Sequence, residues 1–227
     1  MPPEVAAPEP ASTLAARLAE VCQSLGLSLT PTQDKALLAY LALLQRWNGV
    51  YNLTAVREPA AMFNQHLADC LAVVAPVQRA LDGRPAARVL DVGSGGGLPA
   101  VVLAVCLPHL QLSCIDAVGK KMAFVRQVAA ELQLPRLQAI HGRIEALKPA
   151  PHEAFQLITA RAFASLADLV RLTRAALRAD GVWMAMKGRV PEDEMAALPA
   201  DIDVFHVEPL QVPGLDAQRC LVWMRPR

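Results

Sequence analysis

The sequence predicts an α/β protein with a mostly parallel sheet that is covered by helices on both faces. From Arg88 onward, short apolar runs typical of buried strands alternate with longer segments of helical periodicity, and this alternation is typical of parallel sheets. The first apolar run leads directly into a loop with four glycines in residues 93–97. A glycine loop at this point is typical of folds that bind a ligand at the carboxyl ends of their strands.

The elements of this domain follow in order from the apolar pattern. The expected parallel strands are residues 88–93, 111–117, 137–143, 155–162 and 182–188. The expected helices between them are residues 98–107, 119–134 and 165–180, with Gly181 as the glycine that ends the last helix. A short helix is expected over 191–198. Residues 202–212 and 217–225 alternate like strands around a PGLD turn, which predicts a C-terminal antiparallel hairpin and seven strands in all.

The chain before this domain predicts a helical extension. Residues 1–12 are rich in Pro, Glu and Ala, which predicts a disordered tail. Residues 13–80 form the extension and 81–227 the main domain. No apolar run reaches the roughly 18 residues of a membrane helix, and the first residues lack the basic region of a secretion signal. We therefore expect a cytoplasmic protein with no membrane partner.

Three helices are expected in the extension. The first covers residues 13–25, where leucines and valine recur at helical spacing. The second begins with the three residues of a capping box, which are Thr30, Pro31 and Gln33. The third runs from Glu58 to about Val74, with Pro76 beyond its end.

Charge and cysteine content exclude some functions. The formal net charge of +1 argues against a globally basic nucleic-acid binder but not against a local patch. Residues 117–189 hold twelve Lys and Arg and five acidic residues, a local charge of +7. This excess predicts an RNA-binding surface or, equally, uneven solvation of helix faces. The five cysteines show no C-x-x-C pair and no zinc spacing, so no metal is expected.

The glycine loop by itself leaves more than one ligand open. A dinucleotide fingerprint that starts at Gly93 fails at Leu98, whereas one that starts at Gly95 fits. Asp91, two residues before the first glycine, makes the D-x-G-x-G pattern familiar from methyltransferases. Asp116 ends the second strand, where a carboxylate can accept hydrogen bonds from ribose hydroxyls of either cofactor. S-adenosylmethionine is favoured, and a nicotinamide oxidoreductase is the alternative.

Several short motifs then occur in a fixed order. They are Trp47-Asn48-x-x-Tyr51-Asn52-Leu53-Thr54, His66-x-x-Asp69, the DVGSGGGLP loop, Asp116 with Lys120-Lys121, Gly142-Arg143-x-Glu145, Arg161-Ala162-Phe163-Ala164 and Lys187-Gly188. Over roughly residues 45–225 this ordered set resembles the bacterial 16S ribosomal RNA guanine-N7 methyltransferases, the glucose-inhibited division protein B family. The sequence departs from the family at Ala100, usually Gly, at Cys70, usually Ser, and in its three consecutive glycines. None of these changes removes a side chain that the chemistry needs.

The resemblance implies a Rossmann-like class I S-adenosylmethionine methyltransferase sheet and transfer of a methyl group to N7 of a guanine in 16S ribosomal RNA. It implies cofactor contacts at Gly93, Gly95, Leu98, Asp116, Ile144, Glu145 and Arg161. For the RNA we expect contacts from basic residues at or just after strand ends, which are Lys120, Arg143, Arg161 and Lys187. Arg161 is also the one candidate catalytic residue.

Some alternatives stay open at this point. His66 either orients Asp69 or satisfies a polar group in the core, and Phe163 either stacks on a base or packs in the core. The chain as a whole is either the methyltransferase or a non-catalytic RNA-binding assembly factor with the same domain. The sequence does not say whether the RNA is naked or part of a small-subunit particle, and no protein partner can be inferred.

Overall fold

A computed structural model describes residues 11–227 of the chain. Residues 1–10, most of the predicted tail, lie outside the described residues. The first helix, α1, begins at Ala11. Between residues 11 and 227, no helix combines the length and the apolar content needed to cross a lipid bilayer.

The domain is built on one seven-stranded sheet in the order β3-β2-β1-β4-β5-β7-β6. Its strands are β1 (Arg88–Val92), β2 (Gln111–Asp116), β3 (Leu137–His141), β4 (Phe155–Arg161), β5 (Leu177–Lys187), β6 (Ile202–Leu210) and β7 (Arg219–Pro226). The first five strands pair in parallel, and β7 pairs antiparallel with both β5 and β6. The predicted seven strands and C-terminal hairpin are therefore confirmed.

Helices cover both faces of this sheet. They are α1 (Ala11–Ser24), α2 (Pro31–Tyr51), α3 (Pro59–Met62), α4 (Asp69–Leu71), α5 (Val74–Ala80), α6 (Ala100–Cys106), α7 (Gly119–Glu131), α8 (Leu166–Thr173) and α9 (Glu192–Ala196). Successive strand residues point to opposite faces. Val89 belongs to the buried cluster that contains residues of α1, α2, α6 and α7, whereas Leu90 belongs to the cluster that contains residues of α8. The helical extension therefore shares its core with one face of the sheet.

The extension is tied to the glycine loop. The predicted capping box is present at the start of α2, where the Thr30 side chain accepts from the Gln33 N–H. The Gln33 side chain also donates to the carbonyl oxygen of Val105 at the end of α6 (2.9 Å). Further along α2, the buried Tyr40 hydroxyl donates to the carbonyl oxygen of Gly96 (2.8 Å). The middle of α2 therefore contacts the glycine loop at the carboxyl edge of the sheet, where the ligand site is expected.

The third predicted helix is interrupted, and its expected end is wrong. A π-helical turn, Phe63–Ala68, separates α3 from α4. Pro76 does not follow the helix but lies in the first turn of a new one, α5. Proline is tolerated there because the first N–H groups of a helix have no partner within the helix.

The predicted role of Gly181 is also wrong. Helix α8 ends at Thr173, and β5 begins at Leu177, so Gly181 lies inside the strand. The pairing of β4 with β5 shifts register here, and a Cβ at Gly181 would lie 2.9 Å from the carbonyl oxygen of Phe155. Glycine allows this close backbone approach, so tertiary packing decides its role.

Candidate active site

The glycine loop follows β1 and turns sharply over the sheet. Gly93, Gly95 and Gly97 have φ angles of +65°, +56° and +86°, a region that side chains disfavour. The Gly93 N–H donates to the carbonyl oxygen of Ile115 in β2 (2.9 Å). The loop is therefore held against β2, at the carboxyl edge of the sheet.

Asp91 lies beneath this loop and is fully buried. Its Oδ2 accepts from the Ala100 N–H at the start of α6 (3.2 Å), while its Oδ1 has no partner among the described residues. Burial raises the pKa of the Asp91 carboxyl well above its usual range. An unpartnered buried acceptor costs free energy, so this oxygen is suited to a donor that a ligand or a bound water supplies.

A cleft of about 440 Å³ opens beside the loop, and we call it the cofactor cleft. It is lined by Val92, Gly93, Ile115, Asp116, Ala117, Lys121, Gly142, Arg143, Ile144, Glu145, Phe163 and Leu172. Its volume falls in the usual range of small-molecule sites. Both charged and apolar side chains line it, as a nucleoside with a ribose and a flat base requires.

Asp116 organises the centre of the cofactor cleft. Its carboxylate accepts from the N–H groups of Gly95 (3.0 Å) and Val118 (2.8 Å). Lys121 lies 3.7 Å from the same carboxylate. The side chain is therefore fixed at the end of β2, as a residue that accepts ribose hydroxyls must be.

The residues predicted to bind the cofactor lie in different parts of this site. Four of them line the cofactor cleft, namely Gly93, Asp116, Ile144 and Glu145. Gly95 reaches it through its hydrogen bond to Asp116. Leu98 is buried in the core on the helical side, and Arg161 lines a neighbouring cavity. The contacts of all seven with a cofactor remain predictions.

That neighbouring cavity, of about 300 Å³, lies at the ends of β4 and β5. We call it the β4–β5 pocket. Its polar lining residues are Asp69, Arg161, Lys187 and Arg219. Phe163 lines both this pocket and the cofactor cleft. The two cavities are therefore neighbours that share one aromatic side chain.

Arg161 is held by the helical extension. Its Nη1 donates to the carbonyl oxygen of Gln65 (2.9 Å) and to Oδ2 of the buried Asp69 (3.2 Å). The other Asp69 oxygen accepts from Nε of Arg219 (2.8 Å). The H-x-x-D motif and the R-A-F-A motif, far apart in sequence, therefore meet at one wall of the β4–β5 pocket.

His66 continues this network toward the W-N-x-x-Y-N-L-T motif. Its Nδ1 lies 3.5 Å from Nη2 of Arg161, and its Nε2 lies 2.8 Å from the hydroxyl of Thr54. The Thr54 N–H donates to the Asn48 side chain (2.8 Å). Burial and the nearby Arg161 guanidinium lower the pKa of His66 from 6.5 to about 4. The ring is therefore neutral near pH 7.

Lys187 is paired within the protein. Its Nζ donates to both Glu194 oxygens, at 3.0 and 2.8 Å, and one of these also accepts from the Leu166 N–H (2.8 Å). Although burial opposes the shift, these hydrogen bonds lower the pKa of Glu194. This ion pair was not predictable from the sequence, because the partners meet only when α9 folds over the end of β5.

The remaining residues predicted to bind RNA differ in exposure. Arg143 lines the cofactor cleft and is exposed. Lys120 is exposed at the start of α7 but lines neither cavity, whereas its neighbour Lys121 lines the cofactor cleft. Arg219, which sequence reasoning missed, lines the β4–β5 pocket, and only its place at the start of a predicted strand marked it. The RNA contacts remain predictions.

The basic segment 117–189 is less uniform than its charge of +7 suggests. Several of its arginines are paired away from both cavities, in the ion pairs Arg171–Asp168, Arg174–Asp201 and Arg178–Asp180. Of the two alternatives for this segment, uneven solvation of helix faces therefore describes these arginines. Fewer cations therefore lie near the two cavities than the charge of +7 suggests.

The site fits S-adenosylmethionine. The glycine loop permits close approach of a ligand, the carboxylate of Asp116 is fixed where ribose hydroxyls would lie, and the buried Asp91 beneath the loop keeps an unpartnered oxygen. The fold is shared with solved structures. TrmN from Thermus thermophilus aligns with a TM-score of 0.56 at 20% identity, covering 73% of this chain and 53% of that one. Protein Atu636 from Agrobacterium tumefaciens, described as a predicted O-methyltransferase, aligns with a TM-score of 0.53 at 19% identity, covering 69% and 79%. The protein has the fold of the class I S-adenosylmethionine-dependent methyltransferases.

Sequence comparison gives the family. Residues 33–222 match the family described as rRNA small subunit methyltransferase G (GidB). Proteins named ribosomal RNA small subunit methyltransferase G are similar over almost the whole chain. The one from Methylibium petroleiphilum is 59% identical over 96% of this chain and 97% of its own length. The one from Leptothrix cholodnii is 62% identical over 90% and 92%. The chain belongs to the rRNA small subunit methyltransferase G family, and the resemblance found from its motifs is confirmed.

Proposed function

We propose that this protein transfers the methyl group of S-adenosylmethionine to N7 of a guanine in 16S ribosomal RNA, and that the guanine enters the β4–β5 pocket. One observation carries the proposal. The carboxylate nearest the pocket, Asp69, is held by two arginines, and Glu194 is held by Lys187. Neither carboxylate is available as a base. Guanine N7 suits such a pocket, because its lone pair attacks without prior deprotonation.

The chain's own residues then act mainly by orientation and charge. S-adenosylmethionine, when bound, supplies an electrophilic methyl group on a sulfonium centre. Asp116 would hold its ribose, and Gly93 permits close approach of the backbone. Phe163, shared by the two cavities, would border both cofactor and base. Arg161 and Arg219 provide positive charge beside the pocket, which favours acceptor atoms of the substrate.

The RNA contacts belong to the same proposal. Lys120 and Arg143 flank the cofactor cleft, while Arg161 and Lys187 line the β4–β5 pocket. Lys and Arg at such positions bind phosphates or base acceptors. The substrate would be 16S ribosomal RNA, either free or assembled in a small-subunit particle, in the cytoplasm. The division into a helical extension (13–80) and a methyltransferase domain (81–227) remains part of this proposal.

Methyl transfer to ribosomal RNA from cells that lack this family's enzyme tests the function. Naked 16S RNA and small-subunit particles serve as the two substrates, with tritiated S-adenosylmethionine as donor. Cleavage at 7-methylguanosine after borohydride and aniline treatment then locates the base. Label found at another atom or in another RNA would refute the proposal, and absence of label in both substrates would favour a non-catalytic assembly factor.

A second measurement distinguishes a methyltransferase from a nicotinamide-dependent oxidoreductase. S-adenosylhomocysteine is expected to raise the melting temperature, because a ligand that binds only the native state stabilises it. NADH is expected to leave the melting temperature unchanged. The opposite result would exclude S-adenosylmethionine as the ligand of the cofactor cleft.

A further inference from the structure

Arg161 offers part of its guanidinium group to the β4–β5 pocket. A guanidinium has five N–H donors. Among the described residues, the two on Nη1 are engaged by Gln65 and Asp69, and one on Nη2 points to His66. One Nη2 hydrogen and the Nε hydrogen are left for a ligand. The direction of these two N–H groups depends on the residues that hold the other three N–H groups of Arg161.

Within the described part of the chain, His66 provides the only uncharged side chain among the hydrogen-bond partners of Arg161. Arginine has no acceptor atom, so a hydrogen bond between Nη2 of Arg161 and Nδ1 of His66, which lie 3.5 Å apart, requires that Nδ1 accepts and that the ring proton sits on Nε2. In this tautomer the Thr54 hydroxyl, 2.8 Å from Nε2, accepts the ring proton. The Val56 N–H also donates to this hydroxyl (3.2 Å). The contact with Thr54 therefore holds the plane of the ring.

The neutrality of this acceptor has a consequence for RNA. Asp69, Arg161 and Arg219 together carry one net positive charge. A carboxylate at position 66 would also orient Arg161, but it would cancel that charge and repel phosphate. An imidazole held neutral by burial orients the arginine and leaves the charge in place.

We propose that His66 is a positioning residue, which accepts a hydrogen bond from Arg161 and so aims the guanidinium into the β4–β5 pocket. The role of the pocket rests on the proposed function. In this proposal the hydrogen bond from Arg161, rather than the bulk of the ring, is what supports methyl transfer. The helical extension thereby becomes part of the substrate site, since Thr54 and His66 both belong to it.

Two variants distinguish the effect of the hydrogen bond between His66 and Arg161 from the effect of side-chain size at position 66. In His66→Asn, Oδ1 stands where Nδ1 stood, so the bond from Arg161 is kept and the contact with Thr54 is lost. In His66→Gln, the amide reaches the place of Nε2, so Thr54 is contacted and Arg161 is not. We expect kcat for methyl transfer to fall at least tenfold in His66→Gln and less than threefold in His66→Asn. The Kd for S-adenosylhomocysteine should change less than twofold in both, because His66 does not line the cofactor cleft.

Equal losses of kcat in the two variants, or no loss in either, would overturn the proposal. If His66→Gln is unfolded at the assay temperature, Thr54→Val gives the comparison. It keeps Nδ1 but removes the contact that holds the plane of the ring, whereas the shorter Asn side chain presents Oδ1 without that contact. An unchanged kcat in Thr54→Val would therefore also overturn the proposal.

A readout without catalysis keeps this inference separate from the proposed function. In nitrogen-edited spectra the Arg161 side-chain signals, identified by their loss in Arg161→Lys, should be resolved in the wild type and in His66→Asn. In His66→Gln they should be averaged by rotation. Identical spectra in all three would contradict the positioning role, whereas an inactive wild-type protein with the expected spectra would contradict only the proposed function.

Discussion

The ring of Phe163 covers Gly93 so closely that a Cβ on this glycine would lie 2.6 Å from Cδ2 of the ring. Gly93 also has a φ of +65°. The first position of the glycine loop is therefore restricted twice, by its backbone conformation and by the side chain that borders both cavities. Any side chain at this position would displace Phe163 into one of them.

Gly93→Val should abolish binding of S-adenosylhomocysteine in a calorimetric titration, while circular dichroism stays near native. Gly26→Val is the matched control, because Gly26 has the same φ of +65° and a Cβ there meets nothing within 4 Å. Both variants carry a similar backbone cost, roughly 1–2 kcal/mol. Wild-type affinity in Gly93→Val would place the cofactor elsewhere.

Lys120→Ala should weaken binding to 16S ribosomal RNA and flatten the logarithmic salt dependence by about one unit. Lys120 is exposed near the cofactor cleft, so it can release a counterion. Filter binding across a salt series measures the slope. Lys35→Ala is the control, since Lys35 is exposed at the start of α2, beside the opposite edge of the sheet. A slope that falls equally in both variants would exclude a specific role for Lys120.

Lys187→Ala should also weaken RNA binding, but with a smaller change of slope than Lys120→Ala. The reason is that Glu194 already neutralises Lys187. Glu194→Gln should then strengthen RNA binding and steepen the slope, because it removes the competing charge while its amide oxygen can still accept from Leu166. Weaker binding in Glu194→Gln would show instead that the carboxylate positions Lys187 for the RNA.

Asp69→Asn should lower the free energy of unfolding by about 3 kcal/mol, because it leaves two arginines beside a buried amide. Asp203→Asn removes a carboxylate that pairs with Arg225 at the surface, and it should cost less than about 1 kcal/mol. Urea unfolding measures both. Similar losses of unfolding free energy in the two variants would mean that the ion pairs of Asp69 with the two arginines stabilise the fold no more than a surface ion pair does.

Protonation of His66 should contribute to acid destabilisation. The pKa of His66 is about 4 in the folded chain and near 6.5 when unfolded. As the pH falls below 6.5, the unfolded chain therefore binds the proton first, and the folded state loses stability until the pH reaches about 4. The loss should be about 2 kcal/mol between pH 7 and pH 5. Urea unfolding of His66→Asn should show a flatter dependence in this range, and an unchanged dependence would assign the effect to other groups.

The elements that the sequence predicted correctly are those whose causes are local. The capping box at Thr30 and Gln33 involves residues three apart, so it can be read directly. The β1 run and the glycine loop after it combine strand propensity with backbone freedom, and both are properties of neighbouring residues. The ordered motifs were sufficient to identify the family.

Features that depend on distant residues were not predictable in the same way. Gly181 looked like the end of a helix, but a register shift against β4 places it in a strand. Lys187 looked like a free cation, but α9 brings Glu194 onto it. In both cases the deciding partner lies elsewhere in the chain.

The fold class, the family and the glycine loop beside the cofactor cleft were predictable from the sequence alone, because strand periodicity and backbone freedom depend on neighbouring residues. The use of the motifs in the helical extension depends instead on tertiary packing. Thr54, His66 and Arg161 are separated by up to 107 positions, and hydrogen bonds join them only when the extension packs against the sheet. Hydrogen bonds act over about 3 Å, so a spacing along the chain cannot reveal which distant donor and acceptor will meet.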